Sequence, residues 1–163
     1  IITFDRDVKV LLPLTPLEAM QIPNITTPES GPTHLGEALE VLCQMVDKEI
    51  TKSNEEQKGD WMPLLFVMTD GKPSDLQKYN IAVNEVKRRN FGSIIACAAG
   101  MKADVKPLQQ LTNQVYSLDT TDSTTFRQFF KWVSASVSVG NKSVGTTNDL
   151  ELPPPPPEIH TVI

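Results

Sequence analysis

Residues 64–75 read LLFVMTDGKPSD, an apolar run that ends abruptly in a polar turn. The continuous run predicts a buried parallel strand, because a strand covered on both faces loses the apolar–polar alternation of a half-exposed strand. Thr69, Asp70 and Gly71 then lie at the carboxyl end of this strand. Ligands of open α/β sheets bind at that edge, so Asp70 is the first candidate functional residue.

Predicted helices and strands alternate along the chain on either side of this stretch. They are a helix at 35–50, a helix begun by a capping box of Ser74 and Gln77, a strand at 93–98, a short helix capped by Asp104, a strand at 114–118 and a helix from 123. Ile2, Phe4, Val8 and Val10 alternate with polar residues around a tight turn and predict a β-hairpin. We therefore expect an α/β fold with a mostly parallel sheet, to which the hairpin adds an antiparallel edge.

The composition of the chain changes near its end. Residues 1–139 carry the predicted domain, and residues 140–163 hold a Gly/Ser/Asn-rich linker followed by the proline run 153–157. Five consecutive prolines favour an extended polyproline II segment. Such a tail either docks into an aromatic groove of a partner protein or serves as a stiff spacer, and the sequence leaves both open.

Composition excludes several classes of function. The chain has 163 residues, the length of one domain, and a net charge of −5, which argues against binding to nucleic acid phosphates. No apolar run approaches the about 20 residues of a membrane helix. Cys43 and Cys97 form no C-x-x-C motif and are predicted to be buried thiols of a reducing compartment, so we expect a cytoplasmic protein.

The sequence offers hard-cation chemistry more readily than catalysis. It contains no phosphate-binding loop, dinucleotide fingerprint or nucleophile elbow. Thr33 stands before a predicted helix and Asp70 after a predicted strand, and both carry oxygen ligands of the kind Mg²⁺ prefers. Each also has a structural interpretation, which is helix N-capping for Thr33 and turn formation for Asp70.

Three stretches resemble the von Willebrand factor A domain. They are ITFD at 2–5, GPTHLGEAL at 31–39 and FVMTDG at 66–71. More narrowly, SGPTHLG at 30–36 and LPPPPP at 152–157 resemble the TerY-type proteins of bacterial tellurite resistance. The resemblance implies a doubly wound sheet with helices on both faces. At its carboxyl edge the family carries a metal-ion-dependent adhesion site, built from a D-x-S-x-S loop, a Thr and an Asp and completed by an acidic group of the partner.

Residue by residue, the resemblance implies a binding module rather than an enzyme. Thr33 matches the family Thr and Asp70 the family Asp, so both would contact Mg²⁺, or Mn²⁺ or Ca²⁺ in its place. The neighbouring residues expected to contact the partner are Gly31, His34, Gly71 and Lys72. The partners implied are a PP2C-like phosphatase and a Ser/Thr kinase of a bacterial stress response.

The sequence departs from the family pattern in one respect. It contains no D-x-S-x-S motif, and we expect the first strand, its motif and the first helix to precede Ile1. The sheet would then lack its central strand, so this chain is expected to be an N-terminally truncated domain that is poorly stable alone or completed by another segment. Two alternatives are a metal-free scaffold that recruits partners through the proline tail, and a metal-assisted hydrolase that uses Asp70 or Asp75.

Overall fold

The computed structural model describes residues 1–26, 31–101, 103–142 and 153–162. The chain divides into two compact units. The first contains Ile1–Asp60 and Pro73–Arg89, and the second contains Trp61–Lys72 and Asn90–Ile163. Together they hold an α/β set of elements with a four-stranded mixed sheet and a separate two-stranded sheet. No helix in the described ranges is both long and apolar enough to cross a membrane.

The first unit begins with the predicted hairpin. Strands β1 (Ile2–Phe4) and β2 (Val8–Val10) pair antiparallel, with Ile2 opposite Val10. The carboxylate of Asp5 accepts a hydrogen bond of 2.7 Å from the backbone N–H of Asp7, which closes the turn. A short 3-10 helix follows at Leu17–Ala19.

Two helices of the first unit pack against each other. Helix α1 spans Leu35–Glu49 and helix α2 spans Leu76–Lys87. Their buried faces are Leu35, Gly36, Ala38, Leu39 and Cys43 on α1, and Tyr79, Ala82, Val83 and Val86 on α2. Helix α1 confirms the helix predicted at 35–50. At Gly36 the backbones come so close that an added Cβ would lie 2.3 Å from the backbone nitrogen of Tyr79.

The second unit contains the four-stranded sheet. Its strands are β3 (Leu64–Thr69), β4 (Ser93–Ala99), β5 (Gln114–Leu118) and β6 (Ile159–Val162), in the spatial order β3-β4-β5-β6. The first three strands are parallel, as predicted, and β6 pairs antiparallel with β5. Helices α3 (Val105–Leu111) and α4 (Ser123–Lys142) complete the unit.

The core of the second unit lies where β4, β5 and β6 meet α4. Its buried members are Ile95, Cys97, Tyr116, Leu118, Phe129, Trp132 and Ile159. The rings of Tyr116 and Trp132 pack edge to face, with centroids 4.8 Å apart. Phe130, also on α4, is 56% exposed and lies outside this core.

The structure corrects two features of the predicted sheet. The hairpin does not form its antiparallel edge, because β1 and β2 pair only with each other in the described chain, and β6 holds that edge instead. Strand β3 is not covered on both faces, since buried and half-buried residues alternate along it. Among the described strands β3 pairs only with β4, which makes it the other edge of the sheet.

Candidate functional site

The loop after β3 presents Asp70 to solvent. Asp70 is exposed, and no hydrogen bond or ion pair joins its carboxylate to another described residue. The loop is braced from inside by Thr69, which is buried and whose hydroxyl lies 3.3 Å from both the backbone nitrogen and the backbone oxygen of Gly71. The end of β3 therefore holds an unengaged carboxylate on a short, internally bonded turn.

Lys72, predicted to contact a partner, is engaged within its own unit. Its Nζ lies 3.1 Å from the carboxylate of Asp104. Asp104 also accepts a hydrogen bond of 3.1 Å from the backbone N–H of Lys106 and so caps α3, as predicted. Both bonds lower the pKa of Asp104, and the hydrogen bond from the backbone of Lys106 has a larger effect than that from Lys72. The Lys72 side chain is still 73% exposed, so a partner can reach it.

The other predicted site residues lie in the first unit, just before α1. Gly31 is exposed, and Thr33 and His34 are half-buried. The backbone N–H of Thr33 donates to the Ser74 hydroxyl at 2.9 Å, and the backbone N–H of Ser74 donates to the Thr33 carbonyl at 2.8 Å. The backbone N–H of His34 donates to the carbonyl of Asp5 at 2.9 Å. Ser30, part of the family-like stretch, lies outside the described residues.

Thr33 does not cap α1. The residue before the helix is His34, and it makes no side-chain cap. The carboxylate of Asp75 takes this role, accepting hydrogen bonds of 3.1 Å and 2.8 Å from the backbone N–H groups of Gly36 and Glu37. These N–H groups belong to the first helical turn, where they lack helical partners and favour a negative charge.

The predicted capping box of α2 is also wrong. Helix α2 begins at Leu76 after Asp75, with no side-chain cap, and the Ser74 hydroxyl is bonded to Thr33 instead. Sequence reasoning missed the capping role of Asp75 because the helix it caps lies 38–39 residues earlier in the chain. An unfavourable residue before α1, His34, is the local signal that a distant group would satisfy the helix end.

A second cap stands after β5. The carboxylate of Asp122 accepts hydrogen bonds of 2.8 Å and 3.0 Å from the backbone N–H groups of Thr124 and Thr125, at the start of α4. The hydroxyls of Thr120 and Thr125 also donate to it, at 2.7 Å and 2.9 Å. These hydrogen bonds hold the pKa of Asp122 well below its usual range, and the bond from Thr120 has the largest effect. Asp122 is therefore part of the framework of the second unit.

The described residues do not by themselves fit a divalent cation. Mg²⁺ takes about six oxygen ligands in octahedral geometry. The structure brings together no group of three or more His, Cys, Asp or Glu residues able to hold a metal in the ranges it describes. Thr33 and Asp70, the two expected ligands, belong to different units, and each offers a single oxygen group.

Comparison with known proteins adds no relative. No protein family model matches the chain, and neither a curated protein nor a solved structure matches it at a significant level. The likeness to the von Willebrand factor A domain therefore rests on the residues of this sequence alone.

Proposed function

We propose that this chain is a protein-binding module without catalytic activity, with the doubly wound arrangement of von Willebrand factor A domains, and that it acts in a bacterial tellurite-resistance or stress response. The observation that carries the proposal is the exposed Asp70 carboxylate, which has no partner among the described residues. It stands at the carboxyl end of a parallel strand, the edge at which open α/β sheets bind their ligands.

One form of this binding needs no resident metal. In this form the Asp70 carboxylate meets the partner directly. A free carboxylate accepts hydrogen bonds, so the complementary group is a backbone N–H, an Arg or a Lys of the partner. Lys72, which is exposed on the same loop, would offer the partner a donor whose positive charge is opposite to that of Asp70.

A metal-dependent form is the second candidate. It follows from the resemblance, in which an acidic partner group completes the shell of a Mg²⁺ held by Thr33 and Asp70. This form needs further oxygen ligands besides these two. It also reverses the chemistry of the partner, which would present a carboxylate rather than a donor.

Two other functions receive less support. A metal-assisted hydrolase that uses Asp75 conflicts with the role of that carboxylate as the cap of α1. Recruitment by a free proline tail has less support because the tail is bound to the second unit: Pro153, the first proline of the run, accepts a hydrogen bond from Trp132, and Ile159–Val162, after the run, pair with β5.

Binding assays with purified partners test the proposal. The immobilised chain would be exposed to a PP2C-like phosphatase and a Ser/Thr kinase of such a bacterial system, with Mg²⁺ or with EDTA. We expect Asp70→Ala to weaken binding by about tenfold or more, the loss of one charged hydrogen bond. Glu55→Ala, an exposed carboxylate in a loop of the first unit, serves as the matched control.

The outcomes separate the two forms. Binding that survives EDTA and is lost in Asp70→Ala supports direct contact. Binding that requires Mg²⁺ and is lost in Asp70→Ala supports the metal-dependent form. If Asp70→Ala binds both partners as tightly as Glu55→Ala does, the loop after β3 is not their binding site.

A further inference from the structure

The proline run 153–157 is anchored to the second unit on both sides. At its start, the indole Nε1–H of Trp132 donates a hydrogen bond of 2.8 Å to the carbonyl of Pro153. Shortly after its end, Ile159 is buried in the core cluster and begins strand β6. The run is therefore presented by the folded unit in one fixed orientation, unlike the prolines of a free tail.

The backbone of the run is confined to the polyproline II conformation. The pyrrolidine ring holds φ of each proline near about −65°. A following proline also moves ψ of the residue before it into the extended range, and this applies to each of residues 153–156. The backbone N–H of Ile159 donates to the carbonyl of Pro156 at 2.9 Å, so a turn ends the extended segment.

Exposure along the run follows the period of this conformation. Pro154 and Pro157 are exposed, whereas the other three prolines are half-buried. A polyproline II helix has three residues per turn, so residues three apart lie on the same side of it. At about 3.1 Å per residue, the two exposed rings lie about 9 Å apart along the segment. Pro154 and Pro157 together form an outward-facing proline ridge.

We propose that the proline ridge docks into an aromatic-lined, basic groove of a partner protein. Its spacing is that of the P-x-x-P segments that SH3, WW and EVH1 domains bind in aromatic grooves. The carbonyls of Pro154 and Pro155 make no hydrogen bond with another described residue. They are left to accept one from a Trp or Tyr of the groove, since these aromatic residues carry a donor beside an apolar ring.

The charge beside the ridge indicates the charge of the groove. Glu158, directly after the ridge, is exposed and forms no ion pair with another described residue. A Lys or Arg at the end of the groove complements this carboxylate. A second copy of the chain, with its net charge of −5, brings a like charge instead. The charge therefore favours a different, basic protein as the occupant.

Anchoring changes what the run offers to such a groove. A free run of five prolines contains two overlapping P-x-x-P pairs, 153 with 156 and 154 with 157, whereas the anchored run exposes the second pair. A segment that is already ordered also loses little conformational entropy on binding. The proline ridge and the Asp70 loop lie on different segments, so this binding does not depend on the proposed function.

Titrations with purified polyproline-binding domains test the proposal. An SH3, a WW and an EVH1 domain would each be titrated into the full chain by isothermal titration calorimetry. We expect at least one domain to bind the wild-type chain. Pro154→Ala with Pro157→Ala should weaken this binding at least about tenfold, because both rings of the ridge are lost. The matched control, Pro153→Ala with Pro156→Ala, removes the half-buried pair and should weaken it less than about threefold.

The outcomes separate the anchored ridge from a free tail. Equal weakening by the two double variants would assign binding to a free run and overturn the ridge. Wild-type chain that binds none of the three domains, or unchanged binding after Pro154→Ala with Pro157→Ala, would also overturn it. A concentration-dependent dimer in light scattering that this variant abolishes would assign the ridge to a second copy and refute a different partner.

A measurement on the wild-type complex needs no variant. Nuclear Overhauser contacts should join aromatic protons of the bound domain to Pro154 and Pro157. Contacts to Pro153 and Pro156 in their place would show that the run leaves its anchors to bind, and would refute the proposal.

Discussion

Replacing Asp75 tests whether a distant carboxylate holds the start of α1. Asp75→Ala removes the acceptor of the hydrogen bonds from Gly36 and Glu37, at 3.1 Å and 2.8 Å. Loss of a helix cap costs about 0.5–2 kcal/mol, and loss of a negative charge at a helix start costs about 0.3–1 kcal/mol. The free energy of unfolding should therefore fall by about 1–3 kcal/mol in sum.

Urea unfolding followed by circular dichroism measures this change. With a urea dependence of about 2 kcal/mol per molar, the midpoint should fall by about 0.5–1.5 M. Asp75→Asn keeps one oxygen acceptor and should lose less. Gln77→Ala, the control, changes an exposed side chain near the start of α2 and should change stability by less than about 0.5 kcal/mol. An unchanged midpoint in Asp75→Ala would refute the capping role.

Three further predictions concern close packing, pH and thiol chemistry. Gly36→Ala should lower the free energy of unfolding, measured in urea, by about 1–3 kcal/mol, because the added Cβ would lie 2.3 Å from the backbone nitrogen of Tyr79. Ala normally stabilises a helix relative to Gly, so equal or higher stability would contradict the close packing. Asp122→Asn should lower the free energy of unfolding at pH 7, and the loss should shrink progressively below about pH 4. The reason is that the pKa of Asp122 is lowered from its ordinary value of 3.8 in the folded chain, so its hydrogen bonds stabilise the fold only while it is ionised. A difference from wild type that does not change with pH would contradict this. Burial raises the pKa of Cys97 to about 12 and also raises the pKa of Cys43. At pH 8 iodoacetamide should therefore modify the folded chain at least about tenfold more slowly than the urea-unfolded chain. Equal rates would count against burial of the two thiols.

Elements with a local signal were predictable from the sequence. The apolar spacing of α1, the apolar runs of β4 and β5, and the cap of α3 by Asp104 all depend on residues a few positions apart. Hydrophobic periodicity and capping chemistry describe such neighbours well. The positions of these elements followed, and so did that of Asp70 after β3.

Features that depend on distant partners were not predictable in this way. Asp75 lies directly before α2, so the sequence associates it with that helix. The packing of α1 beside α2 shows that Asp75 caps α1 instead. Strand β6 has four residues and follows five prolines. Of its own residues Ile159 is buried, so the sequence of this segment resembled that of a tail. The hairpin had a clear local signal, but nothing in its alternation specifies which sheet it joins.

Asp70 differs from four other aspartates, Asp75, Asp104, Asp119 and Asp122, in that its carboxylate makes no hydrogen bond or ion pair with a described residue. Asp75, Asp104 and Asp122 cap helices, and Asp119 pairs with His160. A carboxylate that stabilises nothing can be replaced without cost to the fold, so Asp70→Ala should change the urea midpoint by less than its error, within about 0.5 kcal/mol. Asp75→Ala, measured beside it, should be clearly destabilised. A loss of stability in Asp70→Ala as large as that in Asp75→Ala would give Asp70 a structural role and remove the main support for a binding site at this loop.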